Sequence, residues 1–485
     1  MARLLMDGAA RTWRGHRAKV PGTRKMTRMQ CTSRRPLRRW LAGLMKNVMT
    51  NLMVAFLGTA GLVAGASAQT VVAMGGALKF DNHEVWSRIV QEAGGQGAKL
   101  VVLPTAAGNP VRSGQQIAEA LKRHGAEVVV VPAAPRWPGQ DAAAVARDPR
   151  WVQEVASARG VVFSGGAQEL ITGTLQPGGQ PTPMLEAVWS VFRRGGVVAG
   201  TSAGGAIMSE TMFRDAQDVL KVLRGQLRQG QEWDRGLGFV GPDLFIDQHF
   251  LKRGRLGRLL PLMMARGHRL GLGVEENSAA VIRGDSVEVL GARGVLWVDL
   301  RQATQQPGLP AFNVQGAVLS YLERGDQMNW RTGEVQVAAD KRQGPALDPA
   351  ADDYKPSFAS APFYMDMLGD NQVVHAMAHL MDSPERAVRG LAYSPQAQAG
   401  QDAALGFEFR LYKRPGARAW FTGSRGGEDY TVVQVGLDVT PVALPVPLYQ
   451  PLQPLPPGGR AGGRAGAPAQ APEGRLLAPA PSARP

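Results

Sequence analysis

Cysteine is almost absent from this sequence: among 485 residues there is one, Cys31, close to the N-terminus. A lone cysteine excludes an internal disulfide framework, and its position leaves the rest of the chain without a thiolate nucleophile or a thiolate metal site. Hydrophobic residues make up 44% of the chain, which is enough to bury a sizeable core. The fold must therefore be stabilised by packing and not by covalent cross-links.

Acidic residues are nearly missing from residues 1–68, where Asp7 alone faces 13 Lys and Arg. This segment supplies +12 of the formal net charge of +15, so the remainder carries +3. Non-specific binding of nucleic acid needs a strongly basic surface. We therefore expect no nucleic-acid partner, and we attribute the basic excess to targeting.

The N-terminal segment also lacks an apolar run long enough to span a membrane. The run from Leu52 to Gly65 has 14 residues, whereas a spanning helix needs about 20. It follows Lys46 and precedes Ala66-Ser67-Ala68, small residues of the kind that a signal peptidase recognises. The sequence therefore predicts a leader at residues 1–68 with a secretory signal peptide at about 45–68. The mature protein is expected to be secreted or periplasmic, without membrane contact after cleavage.

From Thr70 to Ala199, short apolar runs alternate with longer segments of helical character. Runs of this kind are typical of parallel strands that helices cover on both faces. The pattern predicts an α/β fold with an open, mostly parallel sheet flanked by helices. A site is expected at the carboxyl ends of the strands, where the loops of such a sheet meet. The predicted strands are residues 70–74, 99–103, 127–131, 160–163 and 197–199.

The pattern changes twice toward the C-terminus. From about Gly271, short β-branched runs separated by glycine turns predict hairpins that complete the first domain, which we place at residues 69–335. Residues 336–450 mix a helical segment with strand-like patterns and are predicted to form a small α+β accessory region. Residues 451–485 are rich in Pro, Gly and Ala and are predicted to be disordered.

The sharpest local motif is Gly200-Thr201-Ser202-Ala203-Gly204-Gly205, which follows an apolar run and precedes a helix-compatible segment. A strand, a tight turn and a helix in this order are typical of a nucleophile elbow, where only small residues fit around the serine. A serine hydroxyl needs a nearby base, usually a histidine. Among seven histidines, His249 directly follows the predicted strand 244–248, so it should lie at the same sheet edge as Ser202. The sequence thus predicts a serine hydrolase.

Two longer motifs surround these residues: Gly200 to Ser209, and Asp247-Gln248-His249-Phe250 followed by Arg253, Arg255 and Arg258. Together they resemble the cyanophycinase branch of the peptidase E-like serine peptidases. The resemblance extends over about residues 71–329 and includes the segments 271–279 and 321–326. It implies a fold similar to class I glutamine amidotransferase domains, activity on β-aspartyl peptides, and no cofactor or metal.

The resemblance also implies roles for individual residues. Ser202 would be the nucleophile and His249 the general base, with the backbone N–H groups of Gly166 and Ala203 as the oxyanion hole. The acid of the triad would be Glu276, in the segment Gly271-Leu272-Gly273-Val274-Glu275-Glu276. Peptidase E relatives take their acid from between the serine and the histidine, where Asp218 has the most suitable spacing, so Asp218 stays as the alternative.

Substrate contacts follow from the same resemblance. Cyanophycin, the polymer that gives the family its name, has a poly-aspartate backbone with arginine on each β-carboxyl, so its enzyme must hold guanidinium and carboxylate groups. Guanidinium and carboxylate side chains pair with such groups in bidentate fashion, and amides can serve either. The positions expected to bind substrate are Gln168, Asp247, Gln248, Arg253, Arg255 and Arg258.

Other interpretations stay open from the residues alone. His375 and His379 have the spacing of a zinc-binding helix, but Ala376 stands where a zinc peptidase carries glutamate, so a structural helix is expected. An aspartyl dipeptidase of the same family is the nearest alternative function. An α/β-hydrolase esterase with a late histidine such as His375, and a non-catalytic binding protein, are more distant ones. A homodimer is left open.

Overall fold

The computed structural model describes residues 69–344, 346–394, 404–424, 429–445 and 447–449. The predicted leader with its signal peptide and the predicted tail at 451–485 lie outside these residues. The described residues belong to one compact unit. None of the helices within the described ranges is long and apolar enough to cross a membrane.

Strands occur from one end of the described chain to the other. In chain order they are β1 (Thr70–Met74), β2 (Lys99–Leu103), β3 (Glu127–Val130), β4 (Gly160–Phe163), β5 (Val197–Thr201), β6 (Thr211–Phe213), β7 (Trp233–Arg235), β8 (Leu244–Gln248), β9 (Leu270–Val274), β10 (Ser278–Arg283), β11 (Ser286–Gly291), β12 (Val295–Asp299), β13 (Val314–Leu322), β14 (Gln327–Asn329), β15 (Glu334–Gln336), β16 (Ala387–Ala392), β17 (Leu405–Thr422) and β18 (Asp429–Ala443).

Several of the helices begin after a residue whose side chain accepts a hydrogen bond from an N–H group of the first turn. Asn82 and Asn109, for example, accept hydrogen bonds from the N–H groups of Val85 and Arg112. The helices are α1 (His83–Glu92), α2 (Pro110–Lys122), α3 (Ala142–Val145), α4 (Pro149–Ala156), α5 (Gln168–Leu175), α6 (Pro183–Arg193), α7 (Ala203–Ala206), α8 (Val219–Leu223), α9 (Leu256–Arg266) and α10 (Gln372–Met381), with 3-10 turns at Pro177–Gly179 and Lys341–Gln343.

The first sheet has the order β15-β14-β11-β10-β1-β5-β4-β2-β3 within the described residues. Its half from β1 to β3 is parallel, and the strands from β10 outward are antiparallel. Every predicted strand of the parallel half matches one of β1 to β5, and the first coincides with β1. The predicted α/β fold with flanking helices is confirmed.

A second sheet, with the order β16-β17-β18-β13-β12-β9-β8, was not distinguished in the sequence. Only β8 and β9 run parallel in it. Strands β16 to β18 come from the region predicted as accessory, yet β18 pairs with β13 of the first predicted domain. The predicted boundary at residue 335 therefore does not interrupt the sheet. Antiparallel pairing between strands far apart in sequence leaves no local pattern that would have revealed it.

A shared core lies between the two sheets. Val71 and Ala73 of β1 pack in one buried cluster with Ile246 of β8 and Trp297 of β12. The intervening residues of β1 face a separate cluster formed with α1 and α2. Because β9 belongs to the second sheet and β10 to the first, the chain crosses between the sheets at residues 275–277. The crossing lies where the carboxyl ends of β1, β5, β8 and β9 meet.

Candidate active site

Ser202 follows β5 directly and has a backbone conformation that L-residues seldom adopt, with φ at 52° and ψ at −112°. This is the strained turn of a nucleophile elbow. Its N–H donates to the carbonyl of Met74 at 3.0 Å, so the neighbouring strand β1 helps to hold the turn. A Cβ atom at Gly200 would lie 2.1 Å from the carbonyl oxygen of Gly204, so only glycine fits there. The turn thus presents the serine at the sheet edge, as the motif predicted.

His249 reaches the serine from the other sheet. It follows β8, and its Nε2 lies 2.7 Å from Oγ of Ser202. Its backbone φ of 48° is also unusual, and its N–H donates to the carbonyl of Gly75 at 2.7 Å. The end of β1 therefore contacts both residues. The serine and the histidine are brought together by the junction of the two sheets.

Glu276 is the third member of the hydrogen-bonded series that begins with Ser202 and His249. Its Oε1 lies 2.6 Å from Nδ1 of His249, because β8 and β9 are parallel neighbours with Gln248 opposite Val274. The arrangement fits the tautomer in which Nδ1–H donates to the carboxylate and Nε2 accepts from the serine hydroxyl. Asp218, the alternative acid, instead caps α8 by accepting from the N–H groups of Leu220 and Lys221. The structure brings Glu276 to the histidine and leaves Asp218 on the surface.

The electrostatic environment favours a neutral His249. Burial lowers the pKa of its imidazole, the hydrogen bond to Glu276 opposes this change, and the nearby charges of Arg253 and Arg255 lower the pKa further. A base must be unprotonated to accept the serine proton. The lowered pKa therefore favours the neutral imidazole that can act as a base.

The N–H groups of Gly166 and Ala203 were expected to bind an oxyanion. Among the described residues neither donates a hydrogen bond within the protein. Ala203 is the first residue of α7, which has only four residues, so the helix dipole is small. The individual N–H groups would therefore have to stabilise the oxyanion by hydrogen bonds. Both N–H groups are thus without a partner in the described part of the protein, which is what the predicted role requires.

A cavity of about 250 Å³ opens beside Ser202 and His249. Its described lining includes Phe80, Gln116 and Ser164 and, apart from the histidine, no ionisable side chain. The Oγ of Ser164 is buried and has no hydrogen-bond partner in the described structure. The cavity thus offers an aromatic wall beside the nucleophile.

Three of the predicted substrate contacts need correction. Arg258 is 1% exposed and donates to both carboxylate oxygens of Asp247 at 2.8 and 2.7 Å. Arg255 is also buried and donates to the carbonyl of Gln248 at 2.6 Å. Charged side chains are buried only when they are paired, and these pair with the protein itself. Asp247, Arg255 and Arg258 therefore hold the segment around His249 and do not face a substrate.

The other three predicted substrate contacts, Gln168, Gln248 and Arg253, differ in burial and in hydrogen-bond partners. Gln168 is largely buried, and its Nε2 donates to the carbonyls of Phe213 and Arg214. Gln248 is buried, and its Oε1 has no hydrogen-bond partner in the described part of the chain. Arg253 is exposed. Of these three, Arg253 alone is exposed to a ligand at the surface, whereas the unpartnered Oε1 of Gln248 is buried.

Two residues to which the sequence analysis assigned no role also shape the site. A Cβ atom at Gly76 would lie 2.3 Å from the ring of His249, and the φ of Gly76 is 104°, so glycine is required there. Glu275 is fully buried, and its Oε2 accepts from the N–H groups of Leu251 and Lys252. The Gly75-Gly76 pair at the end of β1 was a visible signal for the first. For Glu275, the only signal in the sequence was its position next to Glu276.

His375 and His379 lie on α10 and have other partners. Nε2 of His375 lies 3.3 Å from Nδ2 of Asn371, and Nδ1 of His379 lies 2.6 Å from the Tyr364 hydroxyl. The described residues contain no group of three or more side chains suited to a metal. Because the partner of Ser202 is His249, the esterase interpretation with His375 as base does not fit the geometry.

An α/β fold with a serine, a histidine and a carboxylate in hydrogen-bond sequence defines a serine-type hydrolase. Comparison with known proteins agrees: residues 71–290 match the family model described as Peptidase family S51. A cyanophycinase of Geminocystis herdmanii (strain PCC 6308) is 30% identical over 234 residues, which are 47% of this chain and 80% of the relative. A cyanophycinase of Synechococcus elongatus is 29% identical over 279 residues, 55% of this chain and 80% of the relative.

The chain belongs to peptidase family S51 and is a serine-type peptidase. A solved structure of a peptidase from an acI-B1 Actinobacterium is also similar, with 21% identity and a TM-score of 0.41 over 55% of this chain and 98% of that one. The segment that matches the family model, residues 71–290, ends before most of the second sheet. Strands β12, β13 and β16 to β18 therefore lie outside it.

Proposed function

We propose that this protein is a secreted or periplasmic cyanophycinase that releases β-Asp-Arg dipeptides from cyanophycin. The observation that carries the proposal is the pair of hydrogen bonds that joins Ser202 to His249 and His249 to Glu276, in a chain whose relatives include cyanophycinases. The apolar run with Ala66-Ser67-Ala68 has the features of a signal peptide and therefore supports export. An exported enzyme is what a cell needs when it takes its polymer from outside.

The reaction begins at the serine. Oγ of Ser202 attacks the carbonyl carbon of a backbone amide between two aspartate units, and its proton passes to Nε2 of His249. The carboxylate of Glu276 holds the imidazole and stabilises its positive charge. The N–H groups of Gly166 and Ala203 donate to the oxyanion that forms.

The intermediate then collapses. The carbon–nitrogen bond breaks, His249 gives its proton to the leaving amine, and an ester on Ser202 remains. Water attacks this ester with His249 again as base, which releases the acid product and restores the serine. The exposed Arg253 supplies a cation for carboxylates of the polymer.

The test is to incubate the purified protein with cyanophycin and to identify the soluble products by mass spectrometry. Release of β-Asp-Arg by the protein, and none by the Ser202→Ala variant, is expected. A parallel incubation with short aspartyl dipeptides separates the alternative: cleavage of these with no release from cyanophycin would assign an aspartyl dipeptidase. Equal release by wild type and Ser202→Ala would refute the proposal.

A further inference from the structure

The segment that follows His249 determines where the imidazole lies. It comprises residues 249–257 and is called the histidine segment. Its first residue has a φ of 48°, which a non-glycine residue keeps only when the surroundings hold it. What contacts the histidine segment therefore bears on catalysis.

Glu275 holds this segment from the buried side. Its Oε2 accepts from the N–H groups of Leu251 at 2.5 Å and Lys252 at 3.0 Å. Its Oε1 has no hydrogen-bond partner in the described structure, and the nearest cation is Arg293, with Nη1 at 3.8 Å. A buried carboxylate needs a compensating charge. Arg293 supplies it.

Asp370 links these groups into a closed ring. Its Oδ1 accepts from Nη1 of Arg293 at 3.1 Å, and its Oδ2 accepts from Nζ of Lys252 at 2.5 Å. The ring therefore runs from Lys252 through Asp370 and Arg293 to Glu275 and back to the N–H group of Lys252. Asp370 is 118 residues from Lys252 in sequence and lies beyond the segment that matches the family.

Leu368 adds an independent contact to the same segment. The φ of Gly254 is 59°, and a Cβ atom there would lie 2.4 Å from the Leu368 carbonyl oxygen. A Cβ atom at Gly257 would lie 2.7 Å from Cδ1 of Leu368. The positive φ and the backbone contact require glycine at position 254, and Gly257 packs closely against the Leu368 side chain. Asp370 of the ring and Leu368 of this packing thus belong to one short stretch, residues 368–370.

We propose that residues 368–370 of the C-terminal region position His249 for catalysis, with Asp370 as the positioning residue. The inference rests on the proposed role of His249 as the base. Side chains of the ring's three surface members, Lys252, Arg293 and Asp370, are 45%, 41% and 38% exposed. Exposed ion pairs contribute little to folding stability. Loss of Asp370 is therefore expected to reduce the reactivity of Ser202 far more than it reduces the stability of the fold.

The test follows the phosphonylation of Ser202 by a fluorophosphonate probe, which needs an activated serine but no cyanophycin. Oγ bonds to phosphorus, fluoride leaves, and the serine proton passes to His249. Because small displacements of a catalytic group have large effects, Asp370→Ala is expected to lower the second-order rate about tenfold. The conservative variant Asp370→Glu, which keeps the charge, should recover most of it. The thermal unfolding midpoint of each variant is measured alongside.

The matched control is Asp348→Ala. Asp348 also forms an ion pair in the C-terminal region, with Nε of Arg418 at 2.9 Å, but is not part of the ring. An Asp370→Ala rate equal to wild type, a loss that Asp348→Ala matches, or no recovery in Asp370→Glu would overturn the proposal. Wild-type protein that does not label at Ser202 would overturn it together with the role of His249. Labelling without release from cyanophycin would refute only the proposed substrate.

Discussion

Ser202 and His249 follow strands of two different sheets, yet Oγ of the serine lies 2.7 Å from Nε2 of the histidine. The contact exists because the end of β1 accepts a hydrogen bond from each: Met74 from the serine N–H and Gly75 from the histidine N–H. The site is thus a property of the sheet junction and not of either sheet alone.

The two candidate acids are separated by a pair of variants. Glu276→Gln keeps the shape of the side chain but removes the charge that holds the Nδ1 proton, so kcat is expected to fall by about 10³ to 10⁴. Asp218→Asn keeps the helix cap, since an asparagine caps as well as an aspartate, and removes only an exposed ion pair with Lys221, so kcat should stay within about twofold. Steady-state rates on cyanophycin provide the measurement. A larger loss in Asp218→Asn than in Glu276→Gln would reverse the assignment.

The pH dependence of kcat/KM follows from the lowered pKa of His249. The base works when neutral, so activity falls as the pH drops through that pKa, and the midpoint is expected below the ordinary histidine value of about 6.5. Arg253→Gln removes a nearby positive charge that lowers this pKa, and the midpoint should move to higher pH. Added salt should shift the wild-type midpoint in the same direction by screening.

The control for this prediction is Arg418→Gln, which removes an exposed arginine paired with Asp348. Its profile should coincide with that of the wild type. A midpoint above the ordinary histidine value, or no shift in Arg253→Gln, would show that another group governs the acidic limb.

Substitution of Arg258 is expected to lower stability, whereas substitution of Arg253 is expected to weaken substrate binding. Arg258→Ala leaves the carboxylate of Asp247 buried without its bidentate partner, which should lower the free energy of unfolding by about 3 kcal/mol. Arg253→Ala removes an exposed side chain, so stability should change by no more than about 0.5 kcal/mol while KM for cyanophycin rises. Urea denaturation and steady-state kinetics measure the two quantities. A stable Arg258→Ala with a raised KM would restore the original substrate role.

Glu323 makes stability depend on pH. Burial raises its pKa to about 7, although Lys341 and the Tyr321 hydroxyl oppose the change. The folded state then binds a proton that the unfolded state has released, so this stabilisation is complete below about pH 4.5 and is lost as the pH rises to about 7, at most about 3 kcal/mol. Glu323→Gln should flatten that dependence. Denaturation at pH 5 and at pH 8 measures it, with exposed Glu334→Gln as control; an unchanged slope in Glu323→Gln would contradict the assignment.

Local patterns were enough to predict the parallel half of the first sheet. The apolar runs at Thr70–Met74 and Gly160–Phe163 are buried on both faces, and their composition reveals this directly. The elbow at Ser202 was visible for a similar reason, because small residues between a strand and a helix leave few alternatives. His249 was predicted from its place after an apolar strand and Glu276 through the resemblance, and their contact comes from the parallel pairing of β8 with β9.

The remaining features depend on contacts between distant residues. Nothing near Arg258 in the sequence indicates that Asp247 neutralises it in the interior, so an arginine-rich motif was interpreted as a substrate surface. Asp370 likewise gives no sign that it reaches Lys252. Such contacts are set by the packing of the second sheet, whose antiparallel strands could not be paired from their patterns.

The most direct test of the account is the site of covalent labelling by diisopropyl fluorophosphate. Tryptic digestion places Ser202 in the peptide of residues 195–214, and mass spectrometry locates the adduct within it. The account predicts one adduct, on Ser202, and loss of labelling in His249→Ala. An adduct on another residue, or labelling of His249→Ala at the wild-type rate, would contradict it.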